Sequence, residues 1–131
     1  MLGTDGNFYG TTSEGGALGA CNEVCGTVFK ITPQGTLTTL HSFVGYPTDG
    51  DYPMGPLIQA TDGNFYGTTF GGGANQFCGF GCGTVLKITP MGATTTLYSF
   101  NDEDDGAYPY GGLVQATDGN SYGTAHCRRA V

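Results

Sequence analysis

The chain has 131 residues, the size of one domain, and a formal net charge of −7 with only four basic residues. Nucleic acids and anionic membrane surfaces both attract a basic face, so neither partner is expected, and no apolar run approaches the roughly 20 residues that span a bilayer. Glycine is abundant at 25 residues while charged residues make up only 11%, which favours short strands joined by tight turns over a disordered chain.

In chain order, the predicted elements recur as a tandem repeat. Three stretches return at a spacing of 57 or 56 residues: DGNFYGTT at 5–12, 62–69 and, with two changes, 118–125; GTVFKITP at 26–33 and, with one change, 83–90; and TTLHSF at 38–43 and, with one change, 95–100. Eight identical residues in a row at a fixed spacing identify an internal repeat.

Each repeat is predicted to contain four β-strands. Apolar, β-branched and aromatic residues dominate four stretches of the second repeat, and turn residues separate them. The predicted strands cover residues 57–61, 65–69, 84–89 and 94–100. Asp5, Asp62 and Asp118 are expected to form the Asp-Gly-Asn turn by hydrogen bonding to the backbone. Four sequential antiparallel strands with a period of about 50 residues are typical of a β-propeller blade, so the fold class is all-β with about two blades per chain.

In this interpretation, residues 1–131 form a single domain. The chain starts at the second strand of one predicted blade and ends after the second strand of another. The strands are distributed over a partial blade at 7–43 that lacks its first strand, a full blade at 57–100, the first strands of a further blade at 113–125, and a divergent tail at 126–131. A propeller needs about four blades to close. We therefore predict a head-to-tail homo-oligomer of three or four copies, in which residues 113–117 of one copy supply the first strand that the next copy lacks.

Four of the five cysteines form equivalent pairs in the glycine-rich loops of two repeats. Cys21 and Cys25 are separated by three residues, as are Cys78 and Cys82, whereas Cys127 lies outside the repeat pattern. The favoured interpretation is one short disulfide in each loop, which indicates an oxidising compartment. Free thiols and a metal site remain as alternatives, although the spacing and the lack of a nearby histidine are unusual for zinc.

Carboxylates and tyrosines concentrate in the loops that join one predicted blade to the next, residues 44–56 and 101–112. In a propeller these loops share a face with the cysteine-containing loops. Carboxylates accept hydrogen bonds from sugar hydroxyls and aromatic rings stack on the apolar face of a sugar, so this composition indicates a carbohydrate ligand. The candidate ligand-binding residues are Asp49, Asp51, Tyr52, Asp105, Tyr108 and Tyr110.

Two further candidate sites are weaker. Gln59 and Gln115 lie on the innermost predicted strand, where they are able to face the central channel and a ligand there. The acidic run at 102–105 offers oxygen ligands that suit Ca²⁺, although its spacing does not match an EF-hand. Calcium therefore stands as an alternative to an ordinary solvated acidic surface. No other cofactor is expected.

The motifs GTVFKITP, TTLHSF and QATDGNFYGTT resemble the Gloeobacter–Verrucomicrobia tandem repeat, sometimes called the GloVer repeat, and the resemblance extends to about Thr124. It implies a propeller-like fold in large, secreted or surface-anchored repeat proteins, and it brings no catalytic residues with it. The chain is also similar, more distantly, to NHL and SMP-30-type β-propellers. The shared pattern is an apolar strand followed by Asp-Gly-Asn and an aromatic strand. The chain departs from the repeat at His126, which we interpret as the end of the array.

The predicted function is a secreted, non-enzymatic repeat module for binding or assembly, at the cell surface or outside the cell. No serine-hydrolase or zinc-protease motif is apparent, and His41 and His126 are the only histidines. The alternative is a glycosidase-like or lactonase-like hydrolase that uses the loop carboxylates Asp49, Asp51 or Asp105. Enzymatic activity is therefore left open, with the binding module favoured.

Overall fold

The computed structural model describes residues 1–17 and 25–126, and this part of the chain is built from strands without a helix. The strands are β1 (Phe8–Thr12), β2 (Thr27–Ile31), β3 (Leu37–Ser42), β4 (Gly50–Asp51), β5 (Ile58–Gln59), β6 (Phe65–Thr69), β7 (Gly71–Gly72), β8 (Thr84–Ile88), β9 (Thr94–Ser99), β10 (Val114–Gln115) and β11 (Ser121–Tyr122). The predicted all-β class is confirmed. Among the described residues there is no helical segment with the length and apolarity of a membrane span.

The second repeat forms the predicted four-stranded antiparallel sheet in the order β5-β6-β8-β9. Its hairpin turn is held as expected, because the Asn64 amide donates to Asp62 Oδ1 at 2.9 Å and the Tyr66 hydroxyl donates to Asp62 Oδ2 at 2.6 Å. The register shifts between Val85 and Leu86, and the first repeat has the same irregularity. The repeated sequence thus specifies the same bulge twice.

The first repeat forms the three-stranded sheet β1-β2-β3. The edge of this sheet at β1 is paired with residues from the start of the chain. Leu2 forms a bridge to Phe8, and Met1 exchanges backbone hydrogen bonds with Tyr9 at 2.6 and 2.8 Å. Met1 and Leu2 hold the repeat positions of Ile58 and Gln59, so they take the place of a first strand.

Part of the stretch 113–117, which was predicted to supply a strand to another copy, pairs within its own chain. Val114 and Gln115 pair with Tyr122 and Ser121 of the same chain, in the antiparallel hairpin β10–β11. The Asp-Gly-Asn turn brings the two strands together locally, which costs far less chain entropy than pairing with a distant partner. The ring of copies, and the exchange of residues 113–117 within it, stay predictions.

A small additional sheet that the sequence did not predict joins β4 to β7. Gly50 pairs with Gly72 and Asp51 with Gly71. This pairing fixes the loop between the first two repeats against the residues that follow β6. Gly72 has a φ of +78°, and a Cβ there would lie 2.4 Å from the Asp49 carbonyl oxygen. Only glycine permits this close approach.

The main core lies between the first two repeats. Tyr9 and Phe65 stack at its centre with 4.0 Å between ring centroids. The buried cluster comprises Tyr9, Cys25, Val28, Phe43, Leu57, Phe65, Leu86 and Ile88. Both sheets contribute apolar side chains to one junction, so neither sheet forms a core alone.

Candidate functional site

The disulfide predicted in the second repeat is present. Cys78 and Cys82 are bonded and close a short loop with Phe80 at its centre. The Gly72 amide donates to the Phe80 carbonyl oxygen at 2.9 Å, while the side chain of Phe80 is 72% exposed. Cys25 is also disulfide-bonded; Cys21, its predicted partner, and Cys127 lie outside the described residues.

The tyrosine-containing loops meet the cysteine-containing loops, as the sequence predicted for one face. The Tyr52 amide donates to the Cys25 carbonyl oxygen at 2.9 Å, and the Tyr108 amide donates to that of Cys82 at 2.7 Å. Tyr52 and Tyr108 occupy the same position in successive repeats, and their φ values are +57° and +53°. This conformation is rare for a bulky residue and is typical of positions that the surrounding structure constrains tightly.

These loops enclose a cleft of about 430 Å³ at the junction of the first two repeats. Phe70 forms its aromatic wall: the ring stacks on Tyr108 with centroids 4.7 Å apart and lies 5.9 Å from Tyr52. The principal lining side chains are Glu14, Asp51, Tyr52, Phe70, Phe80 and Tyr108. The cleft therefore combines four aromatic rings with two carboxylates.

Tyr110 extends the aromatic surface away from the cleft toward the third repeat. Its ring lies edge-on to Phe70 at 4.9 Å and edge-on to His126 at 5.2 Å. The side chain of Tyr110 is 50% exposed, and His126 is also exposed. Of the candidate residues, Asp51, Tyr52, Tyr108 and Tyr110 thus lie in or beside one aromatic surface.

Phe70, Phe80 and Glu14 were not among the residues that the sequence indicated. Phe70 follows directly after the end of β6, at the position that Ser13 holds in the first repeat. An aromatic residue at the end of a predicted strand in one repeat, where the other repeat has a small polar residue, is a signal that is available in the sequence.

Asp49 and Asp105 hold equivalent positions and stabilise equivalent loops rather than the cleft. Asp49 Oδ2 lies 2.7 Å from His41 Nε2, and Asp49 accepts hydrogen bonds from backbone amides that include that of Val44 at 3.1 Å. Asp105 accepts a hydrogen bond from the Asn101 amide at 2.9 Å and another from the Tyr98 hydroxyl. That bond to Asp105 raises the pKa of Tyr98 above its ordinary value.

The acidic run at 102–105 forms a turn. The amides of Glu103 and Asp104 both donate to Asn101 Oδ1, at 3.0 and 3.1 Å. Within residues 1–17 and 25–126, no three histidine, cysteine or acidic side chains converge as a set of metal ligands. Calcium binding by the acidic run stays an untested alternative.

Gln59 and Gln115 join neighbouring repeats. Gln59 Oε1 accepts a hydrogen bond from the Thr4 amide at 2.8 Å, and Gln115 Oε1 accepts one from the Thr61 amide at 3.0 Å. Each Nε2 donates to a glycine carbonyl in its own turn. Both ends of each amide are engaged by the protein, which suits a link between repeats better than a ligand contact.

The aspartate of the Asp-Gly-Asn turn has a lowered pKa in all three repeats. A hydrogen bond from the tyrosine hydroxyl is the largest cause, and it lowers the pKa of Asp5 and of Asp62 to about 2 and that of Asp118 in the same direction. Burial, with a contribution from Asp5, raises the pKa of Tyr9 to about 12. The same tyrosine-to-aspartate hydrogen bonds stabilise the turns.

A second cavity, of about 580 Å³, lies between the second and third repeats. Tyr66, Val85 and Leu97 face it from the second repeat, and Leu113 and Gln115 from the third. At the first junction, the four-stranded sheet of the second repeat covers the face of the first repeat. At the second junction, the two short strands β10 and β11 cover the corresponding face of the second repeat. We interpret this space as an incompletely covered sheet face.

The comparisons with known proteins agree with the resemblance seen in the sequence motifs. No curated protein and no solved structure matches the chain. The family model described as the Gloeobacter/Verrucomicrobia repeat matches residues 1–130, which is nearly the whole chain. The chain therefore belongs to the Gloeobacter/Verrucomicrobia repeat family.

Proposed function

We propose that the protein is a secreted, non-enzymatic repeat module that binds carbohydrate through the aromatic cleft on its loop face. The observation that carries this proposal is the composition of the cleft, in which Tyr52, Phe70, Phe80 and Tyr108 surround about 430 Å³ beside two carboxylates. Ligand sites typically combine a concave, mostly apolar surface with a few polar groups that fix orientation.

The chemistry of the cleft favours a sugar over other small ligands. Aromatic rings offer flat apolar surfaces to the C–H face of a pyranose, while tyrosine hydroxyls and the carboxylates of Asp51 and Glu14 are suited to bind sugar hydroxyls. The net charge of −7 opposes an acidic glycan. A neutral glycan is therefore the preferred ligand.

The rings are held before any ligand arrives, which favours binding. Phe80 lies in a loop closed by the Cys78–Cys82 disulfide, and the backbone of Tyr52 and Tyr108 is fixed by hydrogen bonds to the cysteine carbonyls. Pre-ordered side chains lose less conformational entropy on association, so more of the contact energy appears as affinity.

The disulfides also support the proposed location. Structural disulfides persist in oxidising compartments and are rare in the cytosol. Cys78–Cys82 and the bonded Cys25 therefore favour a protein that functions outside the cell or on its surface.

The alternative function is a hydrolase that uses the loop carboxylates Asp49, Asp51 or Asp105. Of these three, Asp51 lines the aromatic cleft, together with Glu14. Glycosidases need two carboxyl groups on opposite sides of the scissile bond. A hydrolase that acts in this cleft would therefore depend on both Asp51 and Glu14.

A glycan array followed by calorimetric titration of the best ligand tests the binding proposal. Phe80→Ala should weaken binding about fivefold, since one stacked ring is worth on the order of 1 kcal/mol. Phe77→Ala is the matched control, because Phe77 lies in the same loop and is 65% exposed but does not line the cleft.

The outcomes separate the two functions. Binding that Phe80→Ala weakens and Phe77→Ala leaves unchanged supports the module. A panel of chromogenic glycosides should give no turnover; turnover that Asp51→Asn abolishes would establish the hydrolase instead. Equal effects of the two phenylalanine variants would remove the cleft as the binding site.

A further inference from the structure

We infer that the protein associates as a symmetric dimer through the outer face of its first repeat, which is defined by Leu2, Phe8, Ile31 and Leu37. The partner is a second copy of this chain that presents the same four side chains. This inference is independent of the proposed carbohydrate binding, because none of these residues lines the aromatic cleft.

A row of apolar side chains crosses the whole sheet of the first repeat. Leu2 pairs with Phe8, Phe8 with Ile31, and Ile31 with Leu37. Directly paired residues of antiparallel strands carry their side chains on the same face. Because Tyr9 faces the second repeat and successive side chains alternate, Phe8 and its row face away from it. The row is open, since Leu2 is 60% exposed, Phe8 44% and Leu37 57%.

The equivalent row of the second repeat is a buried contact surface. It consists of Gln59, Phe65, Ile88 and Thr94. Phe65 and Ile88 belong to the core at the first junction and are 1% and 0% exposed. The open row of the first repeat is the more apolar of the two, because leucine replaces both the glutamine and the threonine at its ends. An exposed face that is more apolar than its buried counterpart indicates a surface that a partner covers.

The glutamine position distinguishes this face from an ordinary junction between repeats. Gln59 accepts a hydrogen bond from the Thr4 amide of the preceding repeat, and the leucine at position 2 has no polar atom in its side chain to accept one. The surface of the second repeat that would pack on such a row is already bound to the third repeat, where the Thr68 hydroxyl donates to the Gly111 carbonyl oxygen at 2.9 Å. A second copy therefore offers its own identical row, and a two-fold axis brings the two rows together.

The charge and the size of the face set the expected strength of the dimer. The strand residues that share this face are uncharged: Phe8, Gly10, Thr12, Thr27, Phe29, Ile31, Leu37 and Thr39. Four chain segments about 4.8 Å apart and about 17 Å long give a face of roughly 300 Å² in projection. Since stable interfaces bury about 800 Å² of accessible surface per partner, we expect a weak dimer with a dissociation constant on the order of 100 μM.

Sedimentation velocity at concentrations from a few to several hundred micromolar tests the inference. The wild-type chain should change from monomer to dimer across this range, and added salt should favour the dimer because it screens the repulsion between two chains of net charge −7. Leu37→Thr introduces the residue of the second repeat and should weaken the dimer about tenfold or more, because each substitution occurs twice in a symmetric dimer. Leu2→Gln should act in the same direction.

Leu97→Thr is the matched control. Leu97 is 50% exposed, but it lies in the second repeat and lines the cavity beside the third, so this variant should dimerise as the wild type does. Threonine and glutamine are the residues of the second repeat at the two substituted positions, so the first repeat should keep its fold. Far-UV circular dichroism of all three variants checks this.

Each outcome decides the inference. A dimer that Leu37→Thr weakens and Leu97→Thr leaves unchanged supports it. A dimer that Leu37→Thr leaves unchanged, or that both variants weaken equally, overturns the assignment of the face. A chain that stays monomeric at the highest concentration in low and high salt overturns the dimer itself. A trimer or tetramer overturns it as well, and would agree instead with the head-to-tail ring.

Discussion

Phe65 and Phe8 occupy the same position in successive repeats, so their alanine variants test whether the junction between repeats carries the stability of the fold. Phe65 is 1% exposed and stacks on Tyr9, whereas Phe8 is 44% exposed. Truncating a buried phenylalanine to alanine costs about 3–5 kcal/mol, through lost burial and the cavity that remains. We expect a loss of about 4 kcal/mol for Phe65→Ala and about 1 kcal/mol for Phe8→Ala, because much of the Phe8 ring already contacts water in the folded chain.

Urea denaturation measures both losses. The chain has eight tyrosines and no tryptophan, so tyrosine fluorescence and far-UV circular dichroism are the appropriate signals. Equal losses for the two variants would refute the reasoning, because they would mean that the face of Phe8 is covered in solution. Light scattering at the same concentrations would then show whether another copy covers it, as a head-to-tail ring requires.

Two further predictions concern the turn and the disulfide. The lowered pKa of Asp62 means that its contribution to the stability of the folded chain is complete above about pH 4 and is lost as the pH falls toward 2. In urea denaturation across this pH range, the Tyr66→Phe variant should therefore lose less stability than the wild type. An unchanged pH dependence would contradict the role of the tyrosine hydroxyl. Replacing both Cys78 and Cys82 by serine should lower the free energy of unfolding by about 2 kcal/mol, as expected for so short a loop. Mass spectrometry of a non-reduced digest should find those two cysteines linked to each other; a link from either of them to another cysteine would contradict the structure.

The parts of the fold that the sequence predicted are those that depend on local patterns. Alternating apolar residues and the Asp-Gly-Asn turn place the four strands of the second repeat within a few residues of their observed bounds. The pairing of Cys78 with Cys82 follows from their spacing. The convergence of the cysteine and tyrosine loops follows from the order of the strands, since alternate loops of an antiparallel sheet lie at the same end.

The parts that the sequence did not predict depend on contacts between repeats. The pairing of β4 with β7 involves three glycines and one aspartate, which form no alternating pattern of side chains. The roles of Asp49 and Gln59 required knowledge of which backbone amides lie beside them. Phe70 was overlooked because its importance comes from the tyrosines of a distant loop. For Gln59 and Phe70 the deciding partner lies in another repeat or in a separate loop.

Comparing the repeats position by position separates scaffold from function. The strands and turns are nearly identical between repeats, and the tyrosine-to-aspartate hydrogen bond occurs in all three turns. The differences fall largely in the loops and at the strand ends beside the cleft; they include Ser13 against Phe70, Met54 against Tyr110, and Asp51 against Ala107. Substitutions at these positions are expected to alter the side chains of the loop face without disturbing the sheet ladders. Each junction therefore presents a different set of side chains on nearly the same backbone.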